Sequence, residues 1–101
     1  MIKELSTKKV KTLYQNGFTP KYLSNANIKI KNSHWFVLFK EEIPVGIAQI
    51  KLSKEPLYNF PNKKNLLLMI SVKEEFKGKG IGKKLITHIM DFLREKKEKG
   101  L

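Results

Sequence analysis

The stretch from Leu66 to Leu93 constrains this chain more than any other. Leu66, Leu67, Leu68, Met69 and Ile70 run without polar interruption into Ser71 and Val72, as expected of a strand covered on both faces at the centre of a sheet. After the polar turn Lys73 to Lys79, a helix over about residues 81–99 places Ile81, Leu85, Ile86, Ile89, Met90, Phe92 and Leu93 on one half of its circumference. Gly82 falls inside that apolar arc. Glycine there costs up to about 1 kcal/mol relative to alanine, so close approach of its backbone to a sheet or a ligand is the expected compensation. Lys96, Lys97 and Lys99 suit the negative end of the helix dipole, and Gly100 its C-terminal cap.

The rest of the sequence fits around this strand-loop-helix unit. Ser6 can cap a first short helix carrying Val10, Leu13 and Tyr14, with Asn16-Gly17 as its stop. Thr19-Pro20 repeats a start signal, which predicts a second short helix over Lys21 to Asn25 and places the N-terminal helices within residues 6–25. From His34 to Phe39 the residues are aromatic and β-branched, and Val45 to Leu52 resumes the pattern after Glu41-Glu42-Ile43-Pro44, which reads as a hairpin over 34–52. Pro56 and Pro61 bracket a loop containing Tyr58. At 101 residues with 41% hydrophobic side chains, the chain is one α/β (α+β) domain spanning 1–101.

Composition narrows the chemistry. With no cysteine, disulfides, cysteine-ligated zinc and thiol nucleophiles are excluded, and a reducing cytoplasm is the expected location. No apolar run is long enough for a membrane span, and no metal-ligand spacing is present. The formal charge of +12 comes from lysines and a single arginine, Arg94. It suits an anionic partner such as nucleic acid or a phosphate-rich cofactor, or is the solvated surface of a lysine-rich composition, so position has to decide between them.

One position does. Lys77-Gly78-Lys79-Gly80-Ile81-Gly82-Lys83 joins the buried strand to the helix. Glycines at alternate places strip side chains from the loop, leaving backbone N–H groups directed at whatever lies above the positive end of the helix. Lys73, Lys77, Lys79, Lys83 and Lys84 surround the same spot, which suits a pyrophosphate or similar polyanion. A flexible glycine turn with solvated lysines is the alternative. The dinucleotide fingerprint fails because Lys83 stands where its third glycine belongs, and the P-loop fails because Gly78 and Gly82 are too close and Lys84 replaces its hydroxyl residue.

At these residues the chain resembles the GNAT superfamily of acyl-CoA-dependent N-acetyltransferases, whose diagnostic pattern is Q/R-x-x-G-x-G/A at a strand-to-helix junction. Lys77 to Gly82 matches it, with lysine in the first place. The resemblance implies a mixed, mostly antiparallel sheet with flanking helices. It further implies acetyl-CoA as the cofactor, its pyrophosphate bound by backbone amides of Lys77, Gly78, Lys79, Gly80, Ile81, Gly82 and Lys83, and its pantetheine arm paired with Ile70, Ser71 and Val72. The implied reaction is direct attack of a primary amine, on a small molecule or a peptide, upon the thioester, with a strand amide stabilising the oxyanion. Family members continue past this helix with further strands, so the C-terminal strands are expected to be missing here. The chain would then be a truncated or decayed enzyme, a fragment, or a minimal form completed as a homodimer.

No acid–base residue stands out. Glu41 and Glu42 belong to the hairpin turn and Glu74 and Glu75 to the approach to the loop, where solvation is the ordinary reading. His34, His88 and Tyr58 are no better supported, so the catalytic residues are left unassigned. Trp35, Phe36 and Phe39 fall on both faces of a strand, which favours core packing over a nucleic-acid platform. A non-catalytic module binding nucleic acid or another polyanion is the competing class.

Overall fold

The aromatic and β-branched hairpin organises the molecule. The computed structural model describes residues 1–21, 23–52 and 65–98. Among them, strands β1 (Ile2–Leu5), β2 (Ser33–Lys40), β3 (Ile43–Leu52) and β4 (Asn65–Val72) form one antiparallel sheet in the order β1-β2-β3-β4. Helices α1 (Thr7–Gln15) and α2 (Asn25–Ile28) cover one face, and α3 (Ile81–Glu98) covers the other. Alternation along the strands feeds both layers. Trp35, Val37, Ile47 and Met69 meet Val10, Phe18 and Leu23 on the first face, while Phe36, Leu38, Ala48 and Ile50 meet Ile81, Leu85 and Ile89 on the second. Among the described residues, no helix is long and apolar enough to cross a membrane.

Polar groups inside the first layer are paired. Gln49 is fully buried, yet its amide donates to the Asn27 carbonyl (2.9 Å) and the Ser33 hydroxyl (2.8 Å) and accepts from Asn27 Nδ2 (3.1 Å). Three bonds offset the desolvation of that amide and tie α2 to the sheet. Trp35 Nε1 similarly donates to the Thr7 hydroxyl at 3.1 Å, fixing the start of α1.

The sheet is irregular at two places. Leu38 pairs with Gly46 and Phe39 with Pro44, which leaves Val45 as the extra residue of a bulge and gives Pro44, with no N–H to donate, a tolerated site. Gln49 pairs with Met69 and Ile50 with Leu67, so Leu68 is the extra residue of β4.

Several expectations are corrected here. Among the described strands β4 is terminal, and β2 and β3 are central. Its apolar run arises because Met69 packs under α1 while Ile70 and Val72 pack toward α3, with the Leu68 bulge interrupting the alternation; Leu67 is 50% exposed. The second short helix begins at Asn25 rather than Lys21. The Ser24 hydroxyl accepts from Asn27 N–H (3.3 Å) and caps it, while Thr19-Pro20 enters a turn closed by Leu23 N–H on the Pro20 carbonyl (3.0 Å). β1 had no signal, because four residues with Lys3 and Glu4 in the middle show no apolar alternation. The first helix follows expectation, with Ser6 accepting from Lys9 N–H and Gly17 at φ 103° just beyond its end. The Pro56–Pro61 loop and the proposed Gly100 cap lie outside the described residues.

Two non-glycine residues form the β2–β3 turn with left-handed backbones, Glu41 at φ 52° and Glu42 at φ 67°. Positive φ at both central positions is the demand of the tight hairpin turn that twists with its strands, and glutamate meets it at a conformational cost. Glu42→Gly should therefore stabilise the domain by about 0.5–1 kcal/mol, read as a melting temperature higher by about 4 °C.

Candidate functional site

The site begins where β4 ends. Lys73 N–H bonds the Val45 carbonyl at 2.8 Å, extending the β3 pairing one residue past the strand. A 3₁₀ turn over Glu74–Phe76 follows, closed by Phe76 N–H on Lys73 and Lys77 N–H on Glu74. The half-buried Phe76 ring anchors this turn against the α3-side core. Lys40 Nζ and Lys79 Nζ lie 5.5 and 5.4 Å from its centroid, so the ring's negative faces hold two of the ammonium groups near the loop.

Glycine has three different reasons here. Gly78 (φ 81°) and Gly80 (φ 79°) occupy left-handed backbone that side chains rarely adopt, which makes the reversal into α3 possible. Gly82 is helical, and a Cβ built on it would meet nothing within 4 Å. The expected close approach to the sheet is not at Gly82. It is at Gly46 on β3, where a Cβ would lie 2.8 Å from Ile81 Cγ2 and 3.2 Å from Leu85 Cδ1. Gly82 instead borders open space.

That space is a cavity of about 550 Å³. Ile70, Ser71, Val72, Lys77, Gly78, Gly80, Ile81 and Gly82, all anticipated from the sequence, line it. Lys79 is placed over Phe76, and Lys83 lines a separate groove on the far side of the loop. The opposite wall, Phe18 to Lys21, was not anticipated. Those residues precede β4 by some fifty positions and are held there in part by Phe18, which packs in the α1-side core.

Backbone groups dominate the chemistry of this cavity. Lys84 N–H bonds the Gly80 carbonyl at 3.0 Å, so the amides of Ile81, Gly82 and Lys83 are those a helix start leaves without an intrahelical acceptor. Gly80 has no side chain to cap them, and no acidic residue stands in the first turn of α3. They form a positive cluster suited to an anion. Along β4, successive residues turn their backbone groups to opposite sides. Lys73 faces β3, as does Ser71, and Val72 and Ile70 therefore present N–H and C=O to the other edge, where no described strand pairs.

The charged side chains are less committed. Lys77 Nζ pairs with the Glu74 carboxylate at 2.8 Å, and this hydrogen bond, reinforced by the Lys77 and Lys21 charges, holds Glu74 below the usual carboxylate range. Glu74 is thereby a weakened base. Glu41 and Glu42 form the β2–β3 turn and do not line the cavity. His34 pairs with Glu4 at 2.9 Å across the first two strands, and His88 packs edge-on against Phe36, so neither histidine lines the cavity.

Among the described residues, then, the start of α3 and the edge of β4 that no described strand pairs border one cavity. The model of the acetyltransferase (GNAT) family matches residues 4–101, and the chain belongs to that family. A search of the curated proteins found no match. Among solved structures, a ribosomal-protein alanine N-acetyltransferase from Escherichia coli superposes with a TM-score of 0.69 at 17% identity, over 95% of this chain and 60% of that one. An aminoglycoside acetyltransferase from an uncultured soil metagenomic sample gives 0.65 at 25% identity, over 95% and 70%. An aminoglycoside N-acetyltransferase in complex with CoA gives 0.61 at 14% identity, over 95% and 72%. The chain thus spans three fifths of the length of the E. coli enzyme.

Gly46 on β3 and Gly82 on α3 should respond oppositely to alanine. Gly46→Ala forces Ile81 and the first turn of α3 away from β3 and should cost about 1–3 kcal/mol. Gly82→Ala meets no atom and improves helix propensity, so its melting temperature should equal or exceed that of the parent. Thermal denaturation of both variants checks the pair.

Proposed function

We propose that this chain binds acetyl-CoA and transfers its acetyl group to a primary amine of a small molecule or a peptide. The observation that supports the reading most is the continuity of the cavity from the start of α3 to the edge of β4 that no described strand pairs. The residues fit such a ligand: bare backbone at Gly78, Gly80 and Gly82 adjoins free volume, and the helix-start amides of Ile81, Gly82 and Lys83 would be the donors for a diphosphate, whereas the Lys77 N–H is already taken by the Glu74 carbonyl. Ile70 and Val72 would pair with the amide-bearing pantetheine arm as an added strand would, with Ser71 between them turned to β3. When bound, acetyl-CoA would supply a thioester: a neutral amine forms the C–N bond at the acetyl carbon, the C–S bond breaks, and CoA leaves as a thiolate that takes up the proton the nitrogen gives up. The Val72 and Ile70 N–H groups are the nearest strand donors for the negative charge that develops on the carbonyl oxygen. The lack of cysteine fits a reducing cytoplasm, where we place the reaction.

The named acceptors of the similar structures differ, a ribosomal-protein alanine in one and aminoglycosides in others. For this chain the acceptor is proposed only as a class, the primary amine. A second reading, cofactor binding without turnover by this chain alone, draws on Glu74. It lines the cavity, yet its pairing with Lys77 disfavours proton uptake from an ammonium acceptor.

Calorimetric titration with acetyl-CoA tests the proposal. One saturable site is expected, with a melting temperature that rises with ligand and stabilisation of about 2.7 kcal/mol at a hundredfold excess over Kd. Gly82→Ala, folded and stable, should bind more weakly because its methyl group enters the volume the ligand uses. No heat and no thermal shift at millimolar acetyl-CoA would remove the proposal; turnover of an amine in its presence separates the first reading from the second.

Glu74 gives a further check. Its lowered pKa means the pair with Lys77 is complete above the ordinary carboxylate pKa and is lost as pH falls through the lowered value. At neutral pH the carboxylate is therefore a fixed negative charge on the cavity wall. Glu74→Gln should tighten acetyl-CoA binding several-fold at low salt and less at high salt, measured by titration at two ionic strengths.

A further inference from the structure

Negative charge is unevenly placed along this chain. No acidic residue stands between Glu4 and Glu41, while Lys8, Lys9, Lys11, Lys29 and Lys31 all fall in that interval. Most of the interval builds the α1–α2 layer, and all five of these lysines are exposed. Within α1 the helical period turns Val10 into the core and leaves Lys8, Lys11, Thr12 and Gln15 on the outer side. The two helices pack against each other over one sheet face, and Lys29 at the end of α2 and Lys31 just after it continue the exposed charge. Among the described residues no carboxylate pairs with any of the five. A lysine-rich surface ordinarily mixes the two signs, as Glu74 with Lys77 and Asp91 with Arg94 do here. The α1–α2 layer does not.

We infer that the outer face of α1, continued by Lys29 and Lys31, binds the phosphodiester backbone of a nucleic acid without reading its sequence. A protein partner would need an apolar or aromatic anchor at the centre of its interface, where lysine is depleted. The large apolar side chains exposed among the described residues, Met1, Ile43, Leu67, Ile86 and Met90, all lie outside this layer. What the face offers instead is lysine beside the hydroxyl and amides of Thr12, Gln15 and Asn25, the side-chain types that contact phosphate. The layer has no arginine to fork onto a base edge, and the rings of Tyr14 and Phe18 belong to the α1-side core, so contact stays at the backbone. None of the five lysines lines the cavity, and the inference therefore stands apart from the acetyl-CoA proposal.

Fluorescence anisotropy with a labelled single-stranded RNA of about 20 nucleotides, and with DNA of the same sequence, tests the assignment. The parent chain should bind both alike, with Kd of about 1–100 μM at physiological salt and log K falling against log salt with a slope of about −3 to −4. Lys8→Gln combined with Lys11→Gln should weaken binding about tenfold and make that slope shallower by about one to two. Lys83→Gln combined with Lys84→Gln removes the same charge from α3, on the other face of the sheet, and should weaken binding by less than about threefold. Thermal melts report whether each variant is folded. An equal loss in the two double variants would show the charge acting in bulk and overturn the assignment. Displacement of the RNA by acetyl-CoA at matched ionic strength would move the polyanion to the glycine loop, and equally tight binding of polyglutamate would make the partner an acidic polypeptide; either result overturns it. If neither nucleic acid binds the parent at low salt, this inference falls and the acetyl-CoA proposal is untouched.

Discussion

The position of the site depends on how closely α3 sits on β3 at Gly46. Ile81 Cγ2 occupies the volume a side chain would take there, and Leu85, fully buried one turn on, extends the contact into the α3-side core. Burying a side chain such as Leu85 contributes about 1.5–3 kcal/mol, so the first turn of α3 is held by a substantial fraction of a small domain's stability. The other end of the loop is held by the Lys73–Val45 backbone bond and by Phe76. Between these anchors Gly78 and Gly80 can be conformationally permissive without the loop losing its place, because the segment is short and both ends belong to rigid elements. The amides at the start of α3 are thereby directed into the cavity by core packing rather than by any side chain of the loop itself.

Legibility in the sequence followed the range of the interactions. The hairpin, the first helix, the strand after residue 64 and the long helix were readable because their periodicity or caps are local: Ser6 and Gly17 bracket α1, and aromatic and β-branched residues mark β2. The glycine spacing gave the family as a resemblance, and the match over residues 4–101 bears it out. What stayed hidden was non-local. Nothing near Phe18 indicates that its turn faces Val72, and nothing near Gly46 indicates that Ile81 will occupy its missing side chain. Gly82 shows how the same residue type misleads: its cost to the helix implied a close approach to a sheet or a ligand, whereas the close approach to the sheet is at Gly46 and Gly82 borders open space. The run Leu66–Val72 likewise correctly implied cover on both faces, but not a place at the sheet's centre, since helices can cover both faces of a terminal strand.

The use of lysine rather than arginine shapes what this site can recognise. The single arginine, Arg94, is paired with Asp91 well along α3, so every cation near the glycine loop is an ammonium. An ammonium is a compact, strongly hydrated charge on a flexible stem and lacks the planar fork that reads phosphate geometry. Lys79 and Lys40 are held against the Phe76 ring, Lys73 Nζ lies 5.9 Å from the Phe18 centroid, and Lys77 engages Glu74. The lysines thus supply a long-range field with little orientation of their own. Directionality falls to donors that do not move, the helix-start amides and the outward N–H groups of Ile70 and Val72. A site built this way keeps its geometry when salt screens its lysines, because fixed amides at short range are affected far less than solvated charges at long range.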